Sequence, residues 1–158
     1  MPGSPGGSDV TEPEPEYGEA IEENLRSIYT AEVVDHALHP RNLGEIAGAG
    51  AFGQITGPCG DTMAIWLSIE GGVVSGAGFE TDGCAATIAA GSMATQLVTG
   101  KTVAEAMKIG QECIESALGG LPEPNRHCAL LAAETVKKAV RQYLVFRKEP
   151  WKALYSKN

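Results

Sequence analysis

Residues 62–81 have the pattern of a β-hairpin, and this pattern limits the folds open to the chain. In the first half of the segment every second residue is large and apolar, as in a strand with one buried face. These residues are Met63, Ile65, Leu67 and Ile69. Glu70-Gly71-Gly72 is a hairpin turn signal, and residues 73–81 return as the partner strand. With a shorter candidate strand at residues 51–56, we predict a three-stranded antiparallel sheet.

Helical patterns dominate the rest of the chain. A short helix is expected at residues 29–38, where Pro40 ends it, and further helices at residues 84–98 and 111–118. A capping box formed by Thr102 and Glu105 opens another short helix. Asn125 is the expected N-cap of a long final helix, whose predicted apolar positions are Leu130, Val136, Val140, Tyr143 and Leu144. Strands followed by helices indicate an α+β fold, with the sheet packed against several helices and a long C-terminal helix.

The acidic residues are concentrated at the start of the chain. Residues 1–28 hold seven acids and one base, whereas residues 29–158 hold 13 acids and 11 bases. We predict that residues 1–20, rich in Gly, Pro and Glu, form a disordered arm and that residues 21–158 form one domain. Neither part has the basic patch that nucleic-acid binding requires. The sequence offers no membrane span or secretory signal, so a cytoplasmic protein is expected.

The four cysteines are Cys59, Cys84, Cys113 and Cys128. A reducing compartment and a sizeable core argue against disulfides. Cys59 precedes a predicted strand, while Cys84 and Cys128 lie where predicted helices begin. A helix N-terminus stabilises negative charge, which favours the thiolate at both positions, and the thiolate binds soft metals and attacks sulfur. Cys113 falls inside a predicted helix and is expected to be a core or spectator residue.

Two further residues could complete a metal site with these cysteines. Asp61 stands two residues after Cys59, and His127 precedes Cys128. Each also has a simpler interpretation: a cysteine can be a small buried apolar residue, the aspartate a turn residue and the histidine a helix-start residue. His36 and His39 flank a helix end and are expected to have a structural role there. Spacing by itself leaves a composite metal site and a purely structural arrangement both open.

Four segments, taken together, resemble a known protein family. They are VVDHALHPRNLG at 33–44, GPCGD at 57–61, FETDGCAAT at 79–87 and LPEPNRHCALLA at 121–132. They resemble the signatures of the iron–sulfur cluster assembly scaffolds, that is, IscU and the N-terminal domain of NifU. The resemblance covers roughly residues 28–147. It implies that Cys59, Cys84 and Cys128 are the three scaffold cysteines.

The resemblance also implies roles for the neighbouring residues. Asp61 resembles the aspartate that makes the bound cluster labile, and His127 resembles a histidine that serves as an alternative ligand. Cys113 matches no ligand position. The expected function is assembly of a [2Fe-2S] cluster from iron and persulfide sulfur, with Cys128 as the persulfide acceptor, followed by transfer to apo-proteins. Such a protein is a scaffold and carrier rather than an enzyme.

The same resemblance names partners and one alternative function. The expected partners are an IscS- or NifS-like cysteine desulfurase that uses PLP, an electron donor such as ferredoxin, and apo-protein acceptors; a homodimer stays open. The alternative is a SufU-like sulfurtransferase, in which the same residues bind zinc and accept persulfide without building a cluster. Zinc could also occupy the scaffold in a resting state. A third interpretation, an interaction module whose cysteines only pack, gives the cysteines no chemistry.

Two departures from the family patterns refine this expectation. The chaperone-recognition segment LPPVK of bacterial scaffolds is LPEPN here, with Asn125 in place of the lysine, which puts recognition by a DnaK-type chaperone in doubt. SufU proteins carry a long insertion between the second and third cysteines and lack the histidine. This chain has 43 residues between Cys84 and Cys128 and keeps His127. On both counts the sequence is more similar to IscU.

Overall fold

A computed structural model gives the architecture of residues 15–148 and Trp151. It confirms the α+β prediction. The helices and strands, in chain order, are α1 (Pro15–Arg26), α2 (Ala31–Leu38), β1 (Ala51–Thr56), β2 (Thr62–Glu70), β3 (Val73–Thr81), α3 (Ala85–Val98), α4 (Val103–Met107), α5 (Gln111–Ala117) and α6 (Arg126–Lys148). A 3₁₀ turn, Glu123–Asn125, leads into α6, so Asn125 lies directly before that helix.

The three strands form one antiparallel sheet in the order β1-β2-β3. Gly71 and Gly72, with φ of 62° and 79°, make the tight turn between β2 and β3, where two left-handed residues match the twist of the strands. The predicted inward face of β2 is buried as far as Leu67. Ile69 is only half-buried, because a register shift between Ser68 and Ile69 disturbs the alternation there.

Helix α6 covers the free edge of β1. The Gln142 side chain accepts a hydrogen bond from the Phe52 backbone N–H at 2.7 Å, and Lys138 Nζ donates to the Gln54 carbonyl at 3.0 Å. Gly53 allows this close approach, since a Cβ at this position would lie 2.7 Å from backbone atoms of α6. The helix is thereby fixed against the strand that leads into the Cys59 loop.

The buried face of α6 is displaced from the predicted one. Val136 and Val140 are fully buried as expected, but Leu130 and Leu144 are 43% and 39% exposed, so their prediction as core residues is wrong. Leu131 is buried in place of Leu130. Leu, Ala and Val occur on several sides of this helix. The side that packs against the sheet is the one whose small residues allow close packing: Ala132, Thr135 and Ala139.

Other sequence predictions can be compared directly with the structure. The capping box of Thr102 and Glu105 is present at the start of α4. Helix α1 begins at Pro15, so residues 15–20 of the predicted arm are helical, whereas residues 1–14 lie outside the described part. The boundary at residue 21 stays a prediction. Within the described residues, no helix is both long enough and apolar enough to cross a bilayer.

Candidate metal centre

Three separate parts of the fold meet at one end of the sheet. The loop of residues 57–61 joins β1 to β2, Cys84 is the N-cap of α3 directly after β3, and α6 begins at Arg126. The Asp82 carboxylate accepts a hydrogen bond from the Thr62 N–H at 2.8 Å, which holds the start of β2 beside the end of β3. Antiparallel pairing thus places the first cysteine loop and the second cysteine side by side.

All five residues predicted to form the site lie together. The donor atoms of Cys59, Asp61 and His127 lie within 4.8 Å of one another, and so do those of Asp61, Cys84 and Cys128. Asp61 belongs to both groups and therefore joins them. A divalent ion held by either group would have one carboxylate oxygen and two softer donors, a mixture that accepts iron or zinc.

The outer group faces solvent. Cys59 is exposed, and its Sγ lies 3.0 Å from His127 Nε2. The same imidazole nitrogen lies 3.8 Å from Cys128 Sγ, so His127 stands between the first and third cysteines. The imidazole can exchange its contact with Cys59 for a metal ion without a change of backbone, because the nitrogen already points into the group.

Thr87 forms the centre of the inner group. Its side chain is fully buried, and its Oγ1 donates to Asp61 Oδ2 at 2.9 Å. The same oxygen lies 3.3 Å from Cys128 Sγ and 3.6 Å from Cys84 Sγ. One hydroxyl therefore contacts every member of the inner group.

The two helix-start cysteines differ in their acidity. Burial raises the pKa of the Cys84 thiol, but the backbone N–H of Thr87, the Thr87 hydroxyl and the backbone N–H of Ala86 stabilise the thiolate and outweigh burial, so the net pKa is lowered. Burial raises the pKa of Cys128 to about 11, and the hydrogen bond from Thr87 does not compensate. The expectation of a stabilised thiolate at both helix starts is therefore wrong for Cys128, because loss of hydration outweighs the helix N-terminus.

Sequence reasoning missed two neighbours of the site. Thr87 follows Cys84 by three residues, and on a helix that spacing puts both on one face, so the signal was available. Tyr29 gave no such signal. The pKa of its phenol is raised, first by burial and then by negative charge on Cys84 and Cys128, which indicates that the tyrosine lies close to both thiols.

The remaining candidate residues lie outside the two donor groups. Cys113 is exposed on α5, which excludes the core interpretation and leaves a spectator. His36 is 5% exposed, and its Nδ1 lies 2.7 Å from the buried Ser92 hydroxyl. His39 is the C-cap of α2. His36 thus has a structural role as a buried, hydrogen-bonded side chain, and His39 lies at the end of the helix as predicted.

The comparisons with known proteins show the family of the chain. The chain matches the family of the NifU-like N terminal domain over residues 28–149. It is 43% identical over 122 residues to the iron-sulfur cluster assembly scaffold protein IscU 1 of Archaeoglobus fulgidus, an alignment that covers 77% of this chain and 78% of that protein.

Two solved structures share the fold. A nitrogen-fixing NifU-like protein (N-terminal) from Brucella abortus superposes with a TM-score of 0.61 at 21% identity, over 77% of this chain and 97% of the other. A putative iron-sulfur cluster assembly scaffold protein for the SUF system from Fervidobacterium islandicum has a TM-score of 0.58 at 22% identity, over 72% and 97%. By its family match and its relative in Archaeoglobus, this chain is a member of the NifU-like N-terminal domain family, which includes the IscU scaffolds.

Proposed function

We propose that this chain is a scaffold on which an iron–sulfur cluster is assembled and from which it is transferred to apo-proteins. The observation that supports it most directly is the meeting of three cysteines, one carboxylate and one imidazole from distant parts of the chain. The similar protein of Archaeoglobus is named as a scaffold, and its name describes no catalytic activity. The chain contributes binding and positioning, and the chemistry of sulfur release belongs to a partner.

The mixed donor set suits a cargo that must leave. Thiolates hold iron firmly, whereas a carboxylate oxygen is a harder and weaker donor toward an iron–sulfur centre. Asp61 belongs to both donor groups, so a cluster bound at either group has one exchangeable contact. A [2Fe-2S] cluster requires four protein donors, and the site offers five. Cys59 is exposed, which gives an acceptor protein access to one edge of the cargo.

Sulfur delivery requires a partner that carries a persulfide. A cysteine thiolate of the chain attacks the outer sulfur of the desulfurase persulfide, the S–S bond breaks, and the desulfurase cysteine leaves as a thiolate. Two electrons, from a reductant such as ferredoxin, then convert the new persulfide to sulfide and regenerate the thiolate. The desulfurase, the reductant and the apo-protein acceptors are the partners that this scheme requires.

Cys128 is the proposed receiver, and the structure adds a condition. Cys128 is 1% exposed, so some of the residues around it must move before a persulfide can reach it. Cys84 is exposed with a lowered pKa and is the second candidate receiver. Mass spectrometry after incubation with desulfurase and cysteine, under alkylation of the remaining thiols, distinguishes them. Added sulfur on Cys113 instead would contradict the site assignment.

Anaerobic reconstitution tests the function itself. The chain is incubated with iron(II), cysteine, a cysteine desulfurase and a reductant, and visible absorption and circular dichroism follow cluster formation. We expect a [2Fe-2S] spectrum and transfer to apo-ferredoxin. A colourless protein that keeps one zinc ion and carries persulfide would instead support the SufU-like sulfur acceptor, a candidate that the zinc-compatible donor set favours.

Asp61→Ala tests the weak-donor idea. Removal of the carboxylate leaves thiolate and imidazole donors, so we expect the reconstituted cluster to decay several-fold more slowly under a chelator. The measurement is the loss of visible absorbance, with Glu70→Ala as the control, because this exposed carboxylate lies at the end of β2 away from the site. Equal or faster decay in Asp61→Ala would show that Asp61 does not make the cluster labile.

A further inference from the structure

We propose that Thr87 is a positioning residue that holds the Asp61 carboxylate in the inner donor group. This inference rests on the proposed scaffold function for its biological meaning, but its geometry is independent of it. Among the described residues, Thr87 is the side chain that donates a hydrogen bond to the Asp61 carboxylate, at 2.9 Å. Asp61 can contribute to either of two groups, so the residue that fixes its orientation decides which group receives the oxygen donor.

The Thr87 hydroxyl is held more firmly than the carboxylate it contacts. Thr87 lies in the first turn of α3 and is fully buried, whereas Asp61 closes a loop and is half-buried. The loop is tied at its ends, where Gly57 N–H donates to the Asp61 carbonyl at 2.8 Å. This tie fixes the backbone of Asp61 and leaves the direction of its side chain to Thr87.

The surrounding backbone is shaped around the threonine. Gly83 lies beside Thr87, and a Cβ at Gly83 would stand 2.6 to 2.7 Å from three atoms of the Thr87 side chain. Gly83 does not have a left-handed φ, so a glycine is required here because it leaves room for the Thr87 side chain and not because of its backbone conformation. The TDGCAAT segment therefore supplies the second cysteine, the positioning hydroxyl and the room for that hydroxyl.

The chemistry of the three acceptors indicates which one the hydroxyl favours. A hydroxyl has one proton and donates to one acceptor at a time; the carboxylate oxygen at 2.9 Å is a strong acceptor, whereas thiol sulfurs, at 3.3 and 3.6 Å here, are weak ones. Thr87 then brings Asp61 Oδ2 to the side on which Cys84 and Cys128 lie. Without the hydroxyl, the carboxylate can rotate about its own side-chain bonds toward Cys59, His127 and solvent.

The test uses cobalt(II) bound to the metal-free chain, because its absorption reports the number of sulfur, oxygen and nitrogen donors. Thr87→Val keeps the volume and removes the hydroxyl, while Thr87→Ser keeps the hydroxyl. A charge-assisted hydrogen bond biases an orientation by roughly tenfold or more. We expect Thr87→Val to shift the cobalt spectrum as Asp61→Ala does, and Thr87→Ser to give the spectrum of the unsubstituted chain. The double variant that combines Thr87→Val with Asp61→Ala should give the spectrum of Asp61→Ala alone.

Thr135→Val is the matched control. Thr135 is also buried in a helix, but its hydroxyl donates to the Leu131 carbonyl of its own helix at 2.7 Å. We expect its cobalt spectrum to be unchanged, and thermal unfolding compares the stability of both valine variants. A Thr87→Val spectrum identical to that of the unsubstituted chain would overturn the proposal, and so would effects of Thr87→Val and Asp61→Ala that add in the double variant.

Cluster decay after reconstitution extends the test to the cargo. We expect Thr87→Val to slow decay in the same direction as Asp61→Ala, and Thr87→Ser to restore the original rate. Decay in Thr87→Val that equals the original rate, while Asp61→Ala slows it, would overturn the positioning role. If the unsubstituted chain assembles no cluster, the scaffold function fails, and the cobalt spectra still decide the role of Thr87.

Discussion

Helices α3 and α6 both begin near a cysteine, but the pKa values of the two thiols are shifted in opposite directions. Each places a cysteine at or near the helix N-terminus, where the free N–H groups favour a thiolate. Cys84 is exposed with a lowered pKa, whereas Cys128 is 1% exposed with a pKa raised to about 11. The difference teaches that hydration, which depends on the tertiary fold, can outweigh the helix N-terminus. Three predictions test or sharpen this contrast, in order of decreasing expected effect.

The largest effect is expected in the rate of alkylation. The pKa of Cys128 lies about two units above its ordinary value of 9.0, which reduces its thiolate fraction near pH 8 by about 100-fold. We expect iodoacetamide to modify the exposed Cys84 and Cys113 at least about tenfold faster than the buried Cys128, because the smaller thiolate fraction outweighs the higher nucleophilicity of that thiolate. Peptide mass spectrometry over a time course measures the three rates. Comparable alkylation rates for Cys128 and Cys113 in the folded chain would contradict the prediction. As a control, the three cysteines should react at similar rates in the chain unfolded by urea.

A smaller effect is expected when serine replaces the cysteine at the start of α3. Cys84 has the extended backbone of an N-cap, and the N–H groups of Ala86 and Thr87 stabilise its thiolate, but within the described residues the sulfur does not complete a side-chain cap hydrogen bond. A serine hydroxyl could cap the helix, so we expect Cys84→Ser to stabilise the metal-free chain by about 0.5–1 kcal/mol. Denaturant unfolding measures the difference, with Cys113→Ser as the exposed control. An unchanged or lower stability would show that replacing the thiol with a hydroxyl adds no cap hydrogen bond to the helix.

The smallest effect is expected at His36, where burial acts on a base instead of an acid. Burial lowers the pKa of His36, helped by the charge of Arg41 and opposed by Asp35 and Glu32. The Ser92 hydroxyl accepts a hydrogen bond from the Arg41 N–H at 2.8 Å, so its own proton can be donated to His36 Nδ1. The fold therefore favours the neutral imidazole.

The sign of the resulting pH dependence follows from linkage. The unfolded chain takes up a proton at His36 near pH 6.5 and the folded chain only below it, so this contribution to stability is complete above pH 6.5 and declines as the pH falls further. We expect unfolding midpoints in denaturant to fall more between pH 7.5 and 5.5 for the unsubstituted chain than for His36→Gln. The carboxylates are common to both proteins, so an equal fall in the two would remove His36 as a cause.

The strands could be predicted because their signals are local, whereas the candidate site residues were chosen by the resemblance of their motifs to the scaffold family. The alternation in residues 62–69 and the Gly71-Gly72 turn determine the hairpin. Each cysteine motif also contains residues that mark the end of a strand or the start of a helix. The face of α6 was harder, since apolar residues such as Leu130, Leu131 and Leu144 lie on different sides of the helix. Their side chains give no local reason to prefer one side, and packing against β1 makes the choice.

The sequence by itself determined which potential donor residues are available, where the three strands and the helices after residue 28 approximately lie, and that three cysteine motifs occur in order. Only the tertiary structure decided that Asp61 joins two donor groups, that Thr87 contacts every member of the inner group, and that burial raises the pKa of Cys128. The physical reason is that donor spacing, hydrogen bonds between distant segments and hydration of a thiol all depend on which atoms lie close together in space. A residue's neighbours along the chain determine its local conformation, but they do not determine which distant residues pack around it.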